Sequence, residues 1–169
     1  ATLNTVSAAE QIGGDIHLLV AGDASGKVAA QASAVADVTK VLVADGTEYA
    51  HGLAENLAPL ICNLSSNYSH ILAPATTTGK NIMPRVAALL DVMQISDIIK
   101  VVDPNTFQRP IYAGNALSTV RSDEAIKIIT VRSTAFEAAA VEGGLATIET
   151  ITNNGDSGLS SYLKSELSS

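Results

Sequence analysis

The stretch His70-Ile-Leu-Ala-Pro-Ala-Thr-Thr-Thr-Gly-Lys-Asn-Ile-Met-Pro-Arg-Val-Ala-Ala-Leu-Leu-Asp91 decides the fold. It begins with a short apolar run of strand length. Helical spacing then places one apolar face on Ile82, Val86, Leu89, Leu90 and Met93. A strand that enters a helix through a Thr/Gly loop is the turn at which open α/β sheets place ligands, because the first N–H groups of the helix lack partners. The loop is therefore the first place to look for a site.

This loop departs from a Walker A phosphate loop at two positions. Such a loop needs Gly five residues before its Gly-Lys pair and Ser or Thr after the Lys, but Pro74 and Asn81 occupy those places. Proline has no N–H to donate to phosphate, and an amide poorly replaces the hydroxyl that holds magnesium. The alternative interpretation is that Thr78 caps the helix, Gly79 lets the chain turn and Lys80 is solvated.

Composition excludes several classes of function. The 169 residues suit one domain, and 47% of them are hydrophobic. The formal net charge is −7, aromatic residues make up 4% and Trp is absent. The chain thus offers neither the basic field nor the stacking surfaces that nucleic acids require. No apolar run reaches about 18 residues, so we expect no membrane insertion and a soluble intracellular protein.

The usual signatures of catalysis and metal binding are missing from the sequence. His17, His51 and His70 lie far apart in sequence, which gives no support for a zinc site. Cys62 lies in an apolar run and is expected to pack as a small buried hydrophobe. Neither a nucleophile elbow nor a dinucleotide-binding glycine motif occurs. We therefore expect no catalytic residues and no metal site, which favours a scaffold, binding or assembly module over an enzyme.

The first half of the chain alternates helices and strands. We predict helices over 2–12 and 27–36 and strands over 16–21 and 40–44. Another helix lies within 49–68, with Pro59 in the first turn of its better-formed part. Because α/β domains normally begin with a strand, the opening helix leads us to expect a strand ahead of Thr2.

The second half of the chain has consecutive β-rich segments instead of alternating helices and strands. Residues 95–102 and 108–120 are β-rich and joined by a short turn, which predicts antiparallel pairing. A further buried strand is predicted over 126–131, and one or two helical turns over 133–144. The expected fold is a mainly parallel sheet covered by helices, with an antiparallel excursion near its end.

The last part of the chain has the composition of a linker. Residues 1–150 form the expected domain, and 151–169 a linker followed by a short helix. The apolar side of that helix would consist of Leu159, Tyr162, Leu163 and Leu167. Since residues 153–158 are rich in turn formers, we expect them to be mobile and open to proteases.

Four segments resemble the N-terminal domain of the electron transfer flavoprotein α subunit. They are Thr78-Gly-Lys-Asn-Ile-Met-Pro-Arg-Val-Ala-Ala-Leu-Leu90, Ile95-Ser-Asp-Ile-Ile99, Tyr112-Ala-Gly-Asn-Ala116 and Ile129-Thr-Val-Arg-Ser133. The resemblance implies a three-layer α/β/α sandwich of the adenine-nucleotide-hydrolase-like kind. It also implies a heterodimer with a β subunit that carries one FAD. Electrons would pass from acyl-CoA and other primary dehydrogenases to that flavin and on to a quinone oxidoreductase, in the bacterial cytoplasm or the mitochondrial matrix.

The same resemblance implies that the flavin is held outside this chain. Family α subunits have a strand before the position of Thr2 and, after the linker, a second domain that holds FAD. No cofactor-binding residue is therefore assigned here, and the chain alone is expected to bind no FAD. The apolar faces of the predicted helices are needed to cover the sheet, which leaves no expected concave surface for a flavin ring.

Thr78, Gly79, Lys80 and Arg85 match the loop and helix of the family and are our candidates for an interdomain or subunit contact. The alternative is a cap, a turn, a solvated charge and a surface ion pair. An alternative function is a free-standing nucleotide-binding module of the universal-stress or ATP-hydrolase kind. That class needs a late Gly-rich phosphate loop, whereas Gly143-Gly144 follows Glu142, which would repel phosphate.

Overall fold

The computed structural model describes residues 1–166. Its helices are α1 (Thr2–Ile12), α2 (Gly26–Ser33), α3 (Ala54–Leu64) and α4 (Thr77–Leu89). The strands of the first half are β1 (Ile16–Gly22), β2 (Val38–Asp45) and β3 (His70–Pro74). The second half contributes β4 (Gln94–Ile98), β5 (Lys100–Asp103), β6 (Thr106–Ile111), β7 (Ala116–Arg121), β8 (Lys127–Val131) and β9 (Thr147–Thr150).

Parallel strands form two separate sheets. One has the order β1-β2-β9 and the other β3-β8-β4, with every pair parallel. The predicted parallel sheet is confirmed, but within residues 1–166 it is divided, because β1 and β3 each pair with a strand on one side only. The strand β9, which the sequence did not suggest, extends the first sheet.

Helices cover both faces of these sheets, as in a three-layer α/β/α sandwich. Strand β8 shows the arrangement most directly, because neighbouring side chains of a strand point to opposite faces. Ile128 packs in a cluster with α3 and α4, whereas Ile129 packs in a cluster with α1. All five residues of β8 are buried, as expected for a strand with a neighbour on either side and helices on both faces. The fold class predicted from the sequence is thus confirmed.

The antiparallel excursion is a three-stranded sheet of order β5-β6-β7. Each predicted β-rich segment contains two strands rather than one. The first is interrupted at Ile99, between β4 in the parallel sheet and β5 in the antiparallel one. The second turns at Tyr112–Gly114, where Tyr112 and Ala113 have φ values of 49° and 54°.

Two helix predictions were wrong in detail. Pro59 lies in the middle of α3 rather than in its first turn. The predicted apolar face of α4 holds at Ile82 and Val86, and Leu90 just after the helix packs partly buried against the same cluster. It fails at Leu89, which is 57% exposed, and at Met93, which is 76% exposed. Helix α4 ends at Leu89, and Asp91 at φ 55° turns the chain away.

The region after β8 contains less helix than predicted. Residues 133–144 hold a single 3-10 turn, Ser133–Ala135, and are otherwise irregular. Residues 159–166 form no helix, so the predicted terminal helix is wrong over that range, and Leu167 lies outside the described residues. The chain here follows contacts with distant residues rather than its own helical periodicity.

Candidate functional site

A cleft separates the two parallel sheets. It has a volume of about 680 Å³ and lies between the facing edges of β1 and β3, with side chains of α1, α3 and α4 on its walls. Apart from the buried Ile16, the apolar residues of both strands are only half-buried, in contrast to those of β8. The expectation that no concave surface would remain was therefore wrong, because the helices cover the faces of the sheets but not the gap between them.

The interior of the cleft is apolar and its ends are polar. At the amino end of the strands, His17 Nδ1 and the Tyr68 hydroxyl share a 2.8 Å hydrogen bond. Burial raises the pKa of Tyr68, which keeps the phenol neutral. Thr76 and Thr78 lie among the lining residues near the start of α4. In the described chain, the lining includes Asp15 but no Lys or Arg.

Helix α4 begins at the cleft with a close approach to β3. Thr76, rather than the predicted Thr78, is the N-cap, and its side chain accepts a hydrogen bond from Gly79 N at 3.3 Å. Gly79 lies inside the first turn and is buried. A Cβ added there would lie 2.0 Å from the carbonyl oxygen of Pro74. Glycine is needed for this helix-to-strand contact rather than for a turn.

The four residues proposed for an interdomain or subunit contact do not form one cluster. Thr78 and Gly79 line the cleft, whereas Lys80 is exposed and is not among its lining residues. Arg85 lies further along α4, where its Nη1 is 3.3 Å from Glu55 Oε1 of α3. Of the alternative, the solvated charge at Lys80 and the ion pair of Arg85 fit these positions, whereas the cap at Thr78 and the turn at Gly79 do not. A partner contact stays a prediction.

An ion pair that sequence reasoning missed lies where β4 and β8 end. Arg132 donates from Nε to both carboxylate oxygens of Asp97, at 3.2 and 3.1 Å, and a second close contact joins its Nη2 to the same carboxylate. Asp97 has a φ of 59°, and its N–H donates to Thr130 Oγ1 at 2.8 Å. The hydrogen bond to Asp97 is the main cause that raises the pKa of Arg132. Both residues belong to segments that carried the family resemblance, but their separation of 35 positions concealed the pair.

His70 is a structural histidine at the amino end of β3. Its Nε2 lies 2.6 Å from the carbonyl oxygen of Pro104 and its Nδ1 lies 2.8 Å from Ser69 Oγ. Since a carbonyl can only accept, the proton belongs on Nε2 and Nδ1 accepts from the serine. Burial lowers the pKa of His70; the hydrogen bond to the Pro104 carbonyl partly opposes this, and the positive charge of Lys127 adds to the lowering. The ring is therefore held neutral and has both nitrogens satisfied.

Three further observations concern metal binding, membrane spanning and the cysteine. Within residues 1–166, no group of three or more His, Cys, Asp or Glu side chains could hold a metal ion. No helix in the same range has the length and apolar character needed to cross a membrane. Cys62 is half-buried, and its desolvation raises the pKa of the thiol.

Fold and site together define a three-layer α/β/α sandwich domain. The loop that enters α4 lacks the residues of a phosphate loop. A family model described as "Electron transfer flavoprotein domain" matches residues 1–155. The chain belongs to the electron transfer flavoprotein family.

Its relatives are α subunits. The chain is 61% identical over 167 residues to the electron transfer flavoprotein subunit alpha of Pseudomonas aeruginosa, a match that covers 99% of this chain and 54% of that protein. It is 48% identical over 167 residues to the subunit alpha of Paracoccus denitrificans, with the same coverage of both chains. The mitochondrial subunit alpha of Dictyostelium discoideum is 50% identical over 155 residues, which cover 87% of this chain and 44% of that protein. The chain thus spans about half the length of these relatives.

Proposed function

We propose that this chain is the assembly half of an α subunit in a heterodimeric, FAD-containing electron carrier. Its partner is the electron transfer flavoprotein β subunit. The complete carrier passes electrons from acyl-CoA and other primary dehydrogenases to a quinone oxidoreductase, in the bacterial cytoplasm or the mitochondrial matrix. It is a subunit of an electron-transfer protein rather than an enzyme. The observation that carries this proposal is the family match over residues 1–155, with α subunits as relatives.

The residues around the cleft do not fit FAD. A flavin dinucleotide carries a pyrophosphate, which needs cations or free N–H groups. The described lining contains no Lys or Arg to pair with it, so only the uncharged N–H groups at the start of α4 remain, of which that of Gly79 is already bonded to Thr76. This supports a flavin held by another part of the α subunit, outside these 169 residues. The same features argue against the free-standing nucleotide-binding alternative.

The experiment is a reconstitution with matched omissions. The α subunit, completed with its flavin-binding part, is co-expressed with the β subunit, with and without residues 1–150. We expect the complete complex to hold FAD and to accept electrons from an acyl-CoA dehydrogenase. We expect the 169-residue chain alone to be colourless and to leave the fluorescence of added FAD unchanged. A complex that assembles and holds FAD equally well without residues 1–150 would refute the assembly role.

A further inference from the structure

Residues 151–162, here called the strap, follow β9 and lie along the 3-10 turn Thr47–Tyr49 and helix α3. The strap has no regular secondary structure. It changes direction at Gly155 and Gly158, whose φ values of 76° and 66° suit glycine. By composition this is a linker, but its contacts differ from those of a free linker.

Two buried side chains receive hydrogen bonds from the backbone of the strap. The Tyr49 hydroxyl accepts from Asn154 N at 3.1 Å, and Asn56 Oδ1 accepts from Ser157 N at 2.9 Å. Tyr49 and Asn56 are each only 2% exposed. Asn56 Nδ2 is engaged as well, since it donates to the carbonyl of Glu48 at 2.9 Å. Because buried acceptors are costly to leave unpaired, the core of the domain itself selects the position of the strap.

Further contacts extend this anchoring in both directions. Before the buried pair, Asn153 Nδ2 donates to the Asp45 carbonyl at 2.7 Å. After it, Ser160 Oγ donates to Glu55 Oε2 at 3.0 Å. The ring of Tyr162 stacks on His51, with a centroid distance of 3.7 Å and an interplanar angle of 12°. Contacts therefore recur along the strap from residue 153 to residue 162.

We propose that the strap is a docked element rather than a flexible tether, and that Tyr49 and Asn56 are the positioning residues that fix where the chain leaves this domain. The inference deepens the proposed function and rests on it in one respect. If a flavin-binding part follows in the complete subunit, the strap sets its position relative to the assembly half. This replaces the expectation of a mobile, protease-sensitive segment.

Amide hydrogen exchange on the 169-residue chain, resolved by residue, tests the strap directly. We expect the amides of Asn154 and Ser157 to be protected relative to an unstructured peptide of the same sequence. Asn56→Leu removes the acceptor for Ser157 at nearly constant size. We expect that amide to exchange about tenfold faster, which corresponds to roughly 1.4 kcal/mol of lost local stability.

The matched control is Asn63→Leu on the same helix. Asn63 makes an exposed side-chain hydrogen bond to Asn154 Oδ1, at 3.0 Å, and does not bond to the backbone amides of the strap. We expect this variant to leave the exchange of the Ser157 amide unchanged. Tyr49→Phe provides a second route, because it deletes one hydroxyl from a buried ring and should release the Asn154 amide even if Asn56→Leu fails to fold.

The proposal is overturned if Asn154 and Ser157 exchange at peptide rates in the unmodified chain, or if neither Tyr49→Phe nor Asn56→Leu accelerates them. Both results are independent of the reconstitution with the β subunit. Unprotected amides in a chain that still assembles would refute the strap and leave the proposed function standing. Protected amides in a chain that fails to assemble with the β subunit would support the docked strap and refute the proposed function.

Discussion

Replacing Gly79 by alanine tests the close contact between α4 and β3. The added Cβ would lie 2.0 Å from the Pro74 carbonyl oxygen and 3.2 Å from its carbonyl carbon. Both are backbone atoms of a strand that pairs with β8, so they cannot swing aside like a side chain. The first turn of α4 must move instead, and overpacking of this kind costs about 1–3 kcal/mol.

The helix preference of alanine reduces that cost. Alanine is favoured over glycine within a helix by about 1 kcal/mol, and this difference includes the smaller freedom of the unfolded chain. Taking the upper end of the steric cost, because the contact is with backbone, leaves a net loss of about 2 kcal/mol in the free energy of unfolding. With a denaturant slope of about 2 kcal/mol per molar urea, the unfolding midpoint should fall by about 1 M.

Gly26→Ala is the matched control for equilibrium urea unfolding followed by circular dichroism. Gly26 begins α2, and a Cβ added there meets no heavy atom within 4 Å. This variant should be as stable as the parent or more stable by up to about 1 kcal/mol. If Gly79→Ala behaves like Gly26→Ala, the argument from steric contact with Pro74 is wrong.

Three further predictions concern other groups. Burial lowers the pKa of His70 from its ordinary value of 6.5, so its contribution to stability is complete above that pH and is lost as pH falls toward the lower pKa of the folded state. The free energy of unfolding, measured with urea, should therefore fall more steeply between pH 7 and pH 5 for the parent than for His70→Gln. Equal slopes of stability against pH would contradict this. Asp97→Ala removes the ion pair with Arg132 and places alanine at a φ of 59°. Both effects together should lower the free energy of unfolding by about 1–3 kcal/mol, as measured by thermal unfolding. Asp97→Asn, which tolerates that backbone, should lose less, and a larger loss would count against backbone strain. Because burial raises the pKa of Cys62, iodoacetamide should alkylate the folded protein more slowly at pH 8 than the urea-unfolded chain, and equal rates would show an accessible thiolate.

Local patterns in the sequence were sufficient for most elements and for the fold class. Gly13 ends α1 with φ at 91° and donates to the Ala9 carbonyl at 3.0 Å, as its place after the helical pattern predicts. Periodicity identifies a helical face but not the residue at which the helix ends. For that reason the prediction extends the apolar face to Met93, although the helix ends at Leu89.

The features that the sequence concealed all depend on residues far apart in the chain. The steric requirement for glycine at position 79 becomes apparent only in the folded chain, where β3 packs against α4. The linker composition of residues 153–158 was recognised, but the buried acceptors on Tyr49 and Asn56, about 100 positions earlier, have no local signature. Strand β9 is similar, because its pairing with β2 joins segments more than 100 residues apart. Secondary-structure propensity depends on residues within one segment, whereas these contacts join segments that are brought together only by folding.

The division between β1 and β3 has a practical consequence for solution behaviour. Each strand presents a row of backbone donors and acceptors on the side away from its single neighbour, and such rows pair readily with other extended chains. We therefore expect the 169 residues alone to self-associate as concentration rises, despite a net charge of −7. Light scattering should record less association for a version extended by one apolar strand than for one extended by the same residues interrupted with proline. The solubility of these 169 residues would then depend on pairing the two open strand edges rather than on the composition of the outer surface.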